Sequence, residues 1–385
     1  MSRMRVLLLT ALETKAEEAG YLSRRLSGYG IASRTVDLSL GAGGTVLGGP
    51  EKLRAMEAAA ARAREAAVEA LDGDMRVIMG LGGGTCGEVA LRVMRDLPAA
   101  FPKVLVTTMP FDPRVFVADS SVILVPTLVD ICGLNAALRE VLENTAALTA
   151  GLCGMRRVPD TRVIDPAADP SIGITALGAT EVAVTSLVSA LAVGGRESTV
   201  FHSNGYGGAA FARFAQSGAL SAIIDLTPHE LTRIHLAGTH VPMPGRFSAG
   251  AELPRIVLPG GLNFIGLGEE SSIPEKYLDR PRYAHSGLFT HVKLVEEEMT
   301  LVADALIESL NAATGPAALI VPMEGFSHQD RVGGPIEDPV LRQVFLDRAT
   351  DSLRGDIALT AVDAHISAPE TTRAIIDTLD SFAPA

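Results

Sequence analysis

Along the first 150 residues, short and almost continuously apolar runs alternate with longer stretches in which apolar residues recur every three or four positions. The runs at 5–10, 33–38, 75–81, 103–108 and 121–125 predict strands, and the periodic stretches 13–26, 51–71, 87–95 and 135–150 predict helices. Strands that are apolar throughout and separated by helices belong to a parallel sheet covered on both faces. A stretch rich in Pro, Asp and Arg at 156–170 interrupts the pattern and reads as a linker. The pattern then restarts, with strands at 171–175, 198–202, 221–225, 255–258, 317–321 and 356–362. Helices are expected at 180–191, 208–216, 294–311, 339–354 and 369–380. The chain is therefore α/β in two domains, 1–155 and 171–385. Both halves open alike, Leu9-Thr10-Ala11-Leu12 echoing Ile174-Thr175-Ala176-Leu177. Two such lobes facing a cleft would collect chemistry just past their strand ends.

Composition narrows the class. Of 385 residues, 47% are apolar and 20% charged, which supplies ample core and leaves little room for disorder. The opening apolar run spans only 6–9, and no later run reaches the roughly 18 residues of a spanning helix. Three cysteines, Cys86, Cys132 and Cys153, are too few and scattered for a disulfide framework or a paired-cysteine zinc site. A net charge of −12 works against non-specific nucleic-acid binding. These features predict a cytoplasmic protein with no membrane or nucleic-acid partner. Alanine- and leucine-rich helical stretches at 56–70 and 136–152 predict self-association into a homo-oligomer.

The strongest local signal is Met79-Gly80-Leu81-Gly82-Gly83-Gly84-Thr85-Cys86-Gly87, between a strand and a helix. Glycines let the backbone turn sharply and aim successive N–H groups at an anion, and the helix adds its positive end. The spacing satisfies GxGxxG, yet the loop follows the third strand and the next strand ends without a ribose-binding acid. This argues against a nicotinamide cofactor. Glu88 stands where a Walker loop needs Lys. The alternative is a tight turn that packs helix against sheet. After the first strand, Thr10, Thr14 and Lys15 are suited to a phosphate or to a capped helix start. The segment 130–135, ending in Asn135, is open to the same two readings.

A second glycine loop, His202-Ser203-Asn204-Gly205-Tyr206-Gly207-Gly208, also joins a strand to a helix. All eight histidines lie beyond residue 200, and imidazole is the commonest acid/base group. His202, His285, His328 and His365 fall where strands end or loops begin, with Asp225, Glu230 and Asp330 in similar places. Ser327, His328 and Asp330 stand too close in sequence to form a triad, and no Gly-x-Ser-x-Gly elbow is present.

Taken in order, these motifs resemble the Tm-type ATP-binding family, called after the plant tobamovirus-resistance protein and including many bacterial members. The resemblance runs nearly end to end. It rests on Thr-Ala-Leu-Glu-Thr-Lys at 10–15, Leu-Gly-Gly-Gly-Thr at 81–85, Pro-Lys-Val-Leu-Val-Thr-Thr-Met at 102–109 and Val-Asp-Ile-Cys-Gly-Leu-Asn at 129–135. It continues in Val-Phe-His-Ser-Asn-Gly at 200–205, Asp-Leu-Thr-Pro-His-Glu at 225–230, Leu-Asn-Phe at 262–264, Asn-Ala-Ala-Thr-Gly-Pro at 311–316, Gly-Phe-Ser-His-Gln-Asp at 325–330 and Ala-His-Ile at 364–366. The resemblance implies two Rossmann-like lobes with mostly parallel sheets flanked by helices, and ATP held by the N-terminal one. By position the nucleotide role passes to Thr10, Thr14, Lys15, Gly82, Gly83, Gly84, Thr85, Thr107, Thr108 and Asn135. The chain departs from the family pattern at Glu13, Ala16, Cys86-Gly87-Glu88 and Pro110-Phe111-Asp112. The last is a bulky acidic insertion that works against a phosphate pocket, so ATP is expected here only if the loop tolerates it.

The leading expectation is an enzyme acting on a small anionic metabolite. A phosphorylated ligand, ATP with Mg²⁺, sits on the glycine loop, and His202 and His285 supply acid/base chemistry. Asp225, Glu230 and Asp330 orient them or bind a divalent ion, and His365 is a further catalytic candidate. The rivals are a nucleotide-independent lyase or hydrolase and a non-catalytic nucleotide- or protein-binding module.

Overall fold

Val6, Leu7, Leu8 and Leu9 have no solvent exposure, because a strand inside a sheet turns alternate side chains to opposite faces and here both are covered. The computed structural model describes residues 4–41, 47, 49–108, 112–154 and 170–382, and its contacts divide the chain into two units, Met1–Arg162 and Val163–Ala385. Of the linker expected at 156–170, all but Pro170 lies outside the described residues, as do Pro110 and Phe111 of the insertion.

The N-terminal unit runs β1 (Met4–Thr10), α1 (Leu12–Gly28), β2 (Ala32–Asp37), α2 (Gly49–Asp72), β3 (Val77–Leu81), α3 (Gly84–Arg95), β4 (Lys103–Thr107), α4 (Arg114–Val117), β5 (Ile123–Pro126) and α5 (Ala136–Gly154). Its strands form one parallel sheet in the order β2-β1-β3-β4-β5. Leu7, Leu9, Ile78 and Leu105 pack under α2 and α3, while Val6, Leu8, Met79 and Val106 pack under α1 and α5. The alanines of α2 are consumed in this packing: Ala59, Ala60, Ala63, Ala67 and Ala70 are buried against the sheet, as are Leu138, Leu142 and Ala146 of α5. The small-residue stripes that suggested self-association thus serve the unit's own core.

The C-terminal unit contains β6 (Ser171–Ala176), α6 (Glu181–Val193), β7 (Ser198–His202), α7 (Gly207–Gln216), β8 (Leu220–Asp225), α8 (Glu230–His235), β9 (Arg255–Val257), β10 (Phe264–Leu267), β11 (Arg282–Ser286), β12 (Phe289–Lys293), α9 (Glu296–Asn311), β13 (Ala317–Pro322), α10 (Pro339–Ser352), β14 (Ala358–Val362) and α11 (Pro369–Ser381). Six strands build a parallel sheet, β14-β13-β9-β8-β6-β7. Counted from its own first strand, this sheet is wound 2-1-3-4-5-6, repeating the 2-1-3-4-5 order of the other unit. In both, the direction in which strands are added reverses beside the first strand, and crevices form at the carboxyl ends there.

Some elements depart from the sequence expectation: the short helices α4 and α8 were not foreseen, nor was a second sheet. Strands β10, β12 and β11 make a separate three-stranded antiparallel sheet. Its edge strand, Arg-Tyr-Ala-His-Ser, is polar and half exposed, so it carries none of the apolar signal of a buried strand. His285, expected at a strand exit or loop start, instead lies within β11.

Candidate functional site

Each unit contains a cavity at the carboxyl side of its sheet, built from that unit alone. In the N-terminal unit the loops after β1, β2 and β3 surround about 400 Å³. The loop after β2 is organised by Asp37: its Oδ1 accepts the backbone N–H of Leu12 and of Ser39, each at 2.9 Å, and the Ser39 hydroxyl. The Ser39 oxygen also accepts the N–H of Glu13 at 2.9 Å, so the start of α1 is capped from the neighbouring loop. Burial would raise the Asp37 carboxyl, yet these donors, with Arg62 nearby, hold it below its ordinary value. Lys15, in a non-helical conformation inside α1, and Lys52 of α2 both line the cavity. Among the described residues neither lysine has a carboxylate within ion-pair distance.

Neighbouring residues of the glycine loop have different surroundings. Gly82 is a packing residue, since a methyl group there would stand 2.5 Å from Cβ and 2.6 Å from Sγ of Cys86. Gly83, Gly84 and Thr85 face the cavity with Thr14 and Lys15. Other members of the expected nucleotide set serve the frame. The Thr10 hydroxyl is buried and donates to the Leu81 carbonyl at 2.8 Å, tying the ends of β1 and β3. Thr107 is fully buried at the end of β4, Thr108 flanks Gly83, and Asn135 caps α5 by accepting the Leu138 N–H at 2.9 Å. Glu13, Ser39, Lys52 and Cys86 also line the cavity although sequence reasoning gave them no role. Burial pushes the Cys86 thiol up to about 11, with Lys15 opposing, so it is a neutral group at pH 7. Of the acidic insertion, Asp112 is described and pairs with Arg114.

In the C-terminal unit a cavity of about 230 Å³ lies where the loops after β6 and β7 meet α8 and the antiparallel sheet. His202 ends β7, and the turn beyond it folds back so tightly that a methyl group on Gly207 would stand 2.0 Å from the His202 carbonyl oxygen. Asn204 shapes this turn, its side-chain oxygen accepting the Tyr206 N–H at 3.1 Å and the Gly207 N–H at 3.3 Å. From the other side come His285 and His291. The pairing of β11 with β12 slips between Ala284 and Ser286, so His285 is the extra residue of a β-bulge. Such bulges re-aim a side chain at the edge of a sheet. His202 and His285, predicted to act together, line one cavity, joined by His291 and Arg233.

The electrostatics of this cavity are unusual for so many imidazoles. Burial, then Arg233, lowers the His202 imidazole, while burial with His285 and Arg233 pushes His291 down to about 3. His229, beneath them and wholly buried, is held well below its ordinary value by burial and by Arg233. Its Nδ1 lies 2.8 Å from the Gly261 carbonyl, which only accepts, so the neutral ring carries its proton there. The His229 and His291 rings sandwich Phe264, at 4.6 and 3.9 Å. Neutral imidazoles beside one guanidinium can take a proton from a substrate whose negative charge the guanidinium holds.

The other acidic candidates are engaged nearby. Asp225 accepts two hydrogen bonds from Arg246, at 2.8 and 2.9 Å, and one from Thr175 at 2.6 Å. Arg246 also donates to Glu230 at 3.2 Å. Burial alone would raise Asp225, but Arg246 and Thr175 bring it below its ordinary value; burial, helped by Asp225, raises Glu230 despite Arg246. Asp330 receives Arg342 at 2.8 Å and the backbone N–H of Phe326 and Asp338. His365 lies 2.9 Å from the Ser327 carbonyl and accepts the Ser367 N–H. Among the described residues no group of three or more His, Cys, Asp or Glu stands arranged to hold a metal ion. No helix of the described residues is long and apolar enough to cross a membrane.

Comparison with known proteins places the chain in a wider set. Residues 44–158 match the N-terminal domain model, and residues 169–383 the C-terminal domain model, of an uncharacterised protein family, UPF0261. A UPF0261 protein of Mesorhizobium japonicum is 28% identical over 98% of this chain and 98% of its own. One from Brucella melitensis is 30% identical over 77% of this chain and 71% of its own. The ToMV resistance protein Tm-1 of Solanum lycopersicum is 25% identical over 80% of this chain, a match that covers 41% of the plant protein.

Proposed function

The chain belongs to the uncharacterised protein family UPF0261, and from that premise we propose that it is an enzyme acting on a small anionic metabolite in its C-terminal unit. The observation that carries this reading is the convergence of His202, His285, His291 and Arg233 on one cavity. Arg233 binds the negative charge, and a neutral imidazole removes or returns a proton beside it. Asp225, Glu230, Asp330 and His365 act as framework, fixing the loops at the carboxyl edge of the sheet through Arg246, Arg342 and backbone groups. Replacing His202 or His285 by Ala tests the proposal: turnover falls about a hundredfold or more if either ring moves the proton. Unchanged turnover in both variants would end the assignment.

The N-terminal cavity fits a phosphorylated ligand, ATP with Mg²⁺ being the leading candidate. Its two lysines without a carboxylate within ion-pair distance among the described residues, and its glycine loop opening a helix, suit phosphate oxygens. Lys15, Lys52, Gly83, Gly84 and Thr85 would hold it, and a bound nucleotide would supply an activating phosphoryl group. Calorimetry of the full chain with ATP and Mg²⁺ should show binding that weakens about tenfold in Lys15→Met and in Lys52→Met. Absence of heat at millimolar nucleotide would remove ATP from the reading. The C-terminal cavity is complete within its own unit, which favours a second reading as a nucleotide-independent lyase or hydrolase. Turnover indifferent to added nucleotide would select it.

A further inference from the structure

Arg233 is held in a way that no structural need of its own explains. Its side chain is threaded past three glycines from three different segments. A methyl group on Gly205 would stand 3.0 Å from its Cδ, one on Gly238 3.2 Å from its Cγ, and one on Gly266 2.7 Å from its Nη2. Gly205 and Gly238 have φ of +89° and +120°, a region that other residues rarely adopt, so these close approaches depend on glycine. Nη1 donates to the Thr239 carbonyl at 3.0 Å, which fixes the plane of the guanidinium. Nε is buried without a hydrogen-bond partner, and among the described residues no carboxylate lies within ion-pair distance of Arg233, Glu230 acting on it only from farther off. Arg246, Arg280 and Arg342 of the same unit all have carboxylate partners. A half-buried guanidinium that is immobilised and has no carboxylate paired directly with it is set to receive one.

We infer that Arg233 is a subsite for a single carboxylate group, so that the substrate of the C-terminal cavity is a carboxylic acid and not a phosphate ester. This inference rests on the reading of that cavity as the reaction site. Charge decides between the two anions. Arg233 is the one Lys or Arg among the described residues lining the cavity, and His202 and His291 are disfavoured as cations. One positive charge neutralises a carboxylate and leaves a phosphate monoester dianion uncompensated. The planar guanidinium also matches a carboxylate edge to edge. Gly266 keeps this face open, since it borders both Nη2 of Arg233 and the unpartnered Nε2 of His229, 3.1 Å from where its methyl group would be.

The test uses the full chain with acetate, propionate, butyrate and lactate as probes, against inorganic phosphate. Imidazole NMR signals of His202, His285 and His291 report occupancy without any need for turnover. A saturable shift with at least one carboxylate is expected, weakened about tenfold or more in Arg233→Met and in Gly266→Ala, with phosphate giving no such shift. Carboxylate affinity unchanged in Arg233→Met, no response to any of the four acids, or stronger binding of phosphate at the same signals would overturn the inference. The comparison of acids with phosphate needs no variant, so a folding defect in either cannot mask the answer. Carboxylate binding through Arg233 with turnover unaffected by His202→Ala and His285→Ala would sink the acid/base reading and leave this subsite standing.

Discussion

His285 and His291 stack across neighbouring antiparallel strands with ring planes 10° apart and centroids 5.0 Å apart. His291 is pressed on its other side against Phe264, and burial, with His285 and Arg233 nearby, pushes its imidazole from 6.5 down to about 3. The unfolded chain protonates this residue near pH 6.5 while the folded protein refuses the proton. Stability therefore falls as pH drops from about 6.5 towards 3. His291→Phe should keep the stack and flatten that part of the profile, as urea titrations across the range would measure. A His291 nitrogen signal titrating near neutrality would contradict the burial argument.

Asp330 gives a dependence of the opposite sign. Burial raises its carboxyl from 3.8 to about 6, against the Phe326 N–H and Arg342. Between those values the unfolded chain releases a proton that the folded protein keeps, so stability declines as pH rises from about 4 to about 6, by up to about 3 kcal/mol. Asp330→Asn should remove this decline, read by thermal unfolding in a buffer series.

Arg246 neutralises two carboxylates with almost no exposure of its own. Arg246→Met leaves Asp225 and Glu230 facing each other in the interior and is expected to cost about 3–5 kcal/mol. The additional variant Glu230→Gln, which discards one of the two charges, should recover part of the loss. Denaturant unfolding of the single and double variants separates the terms.

Adjacent glycines of the first loop should respond differently. Gly82→Ala drives a methyl group into Cys86 and is expected to cost about 1–3 kcal/mol. Among the described residues a methyl group on Gly83 meets only the Thr108 hydroxyl at 3.6 Å, so Gly83→Ala should melt close to the parent. Any loss of phosphate-ligand binding in Gly83→Ala then reflects the cavity it faces, which calorimetry would detect.

The parallel sheets were legible because their strands are buried on both faces and so leave unbroken apolar runs such as Val6 to Leu9. The antiparallel sheet was not, because no residue of β11 is fully buried and its polar composition resembles a loop. That gap concealed part of the site: His285 was identified by residue type, but its place in a bulge beside His291 depends on strand pairing. Arg233 carried no signal at all. Thr-Arg-Ile-His looks like any exposed turn of helix, and the glycines that hold the arginine lie 28, 5 and 33 residues away along the chain. The glycine loop was ambiguous for a sound reason, since neighbouring glycines in it do different work. Asp225 and Asp330 stood out as acids at strand ends, yet their basic partners Arg246 and Arg342 lie 21 and 12 residues downstream with no motif linking them.

The common winding of the two sheets bears on how this molecule tolerates change. A crevice produced by the order of strand addition survives alteration of the loops around it, because no particular loop residue creates it. Changes in those loops can therefore retune what a crevice accepts without abolishing the crevice.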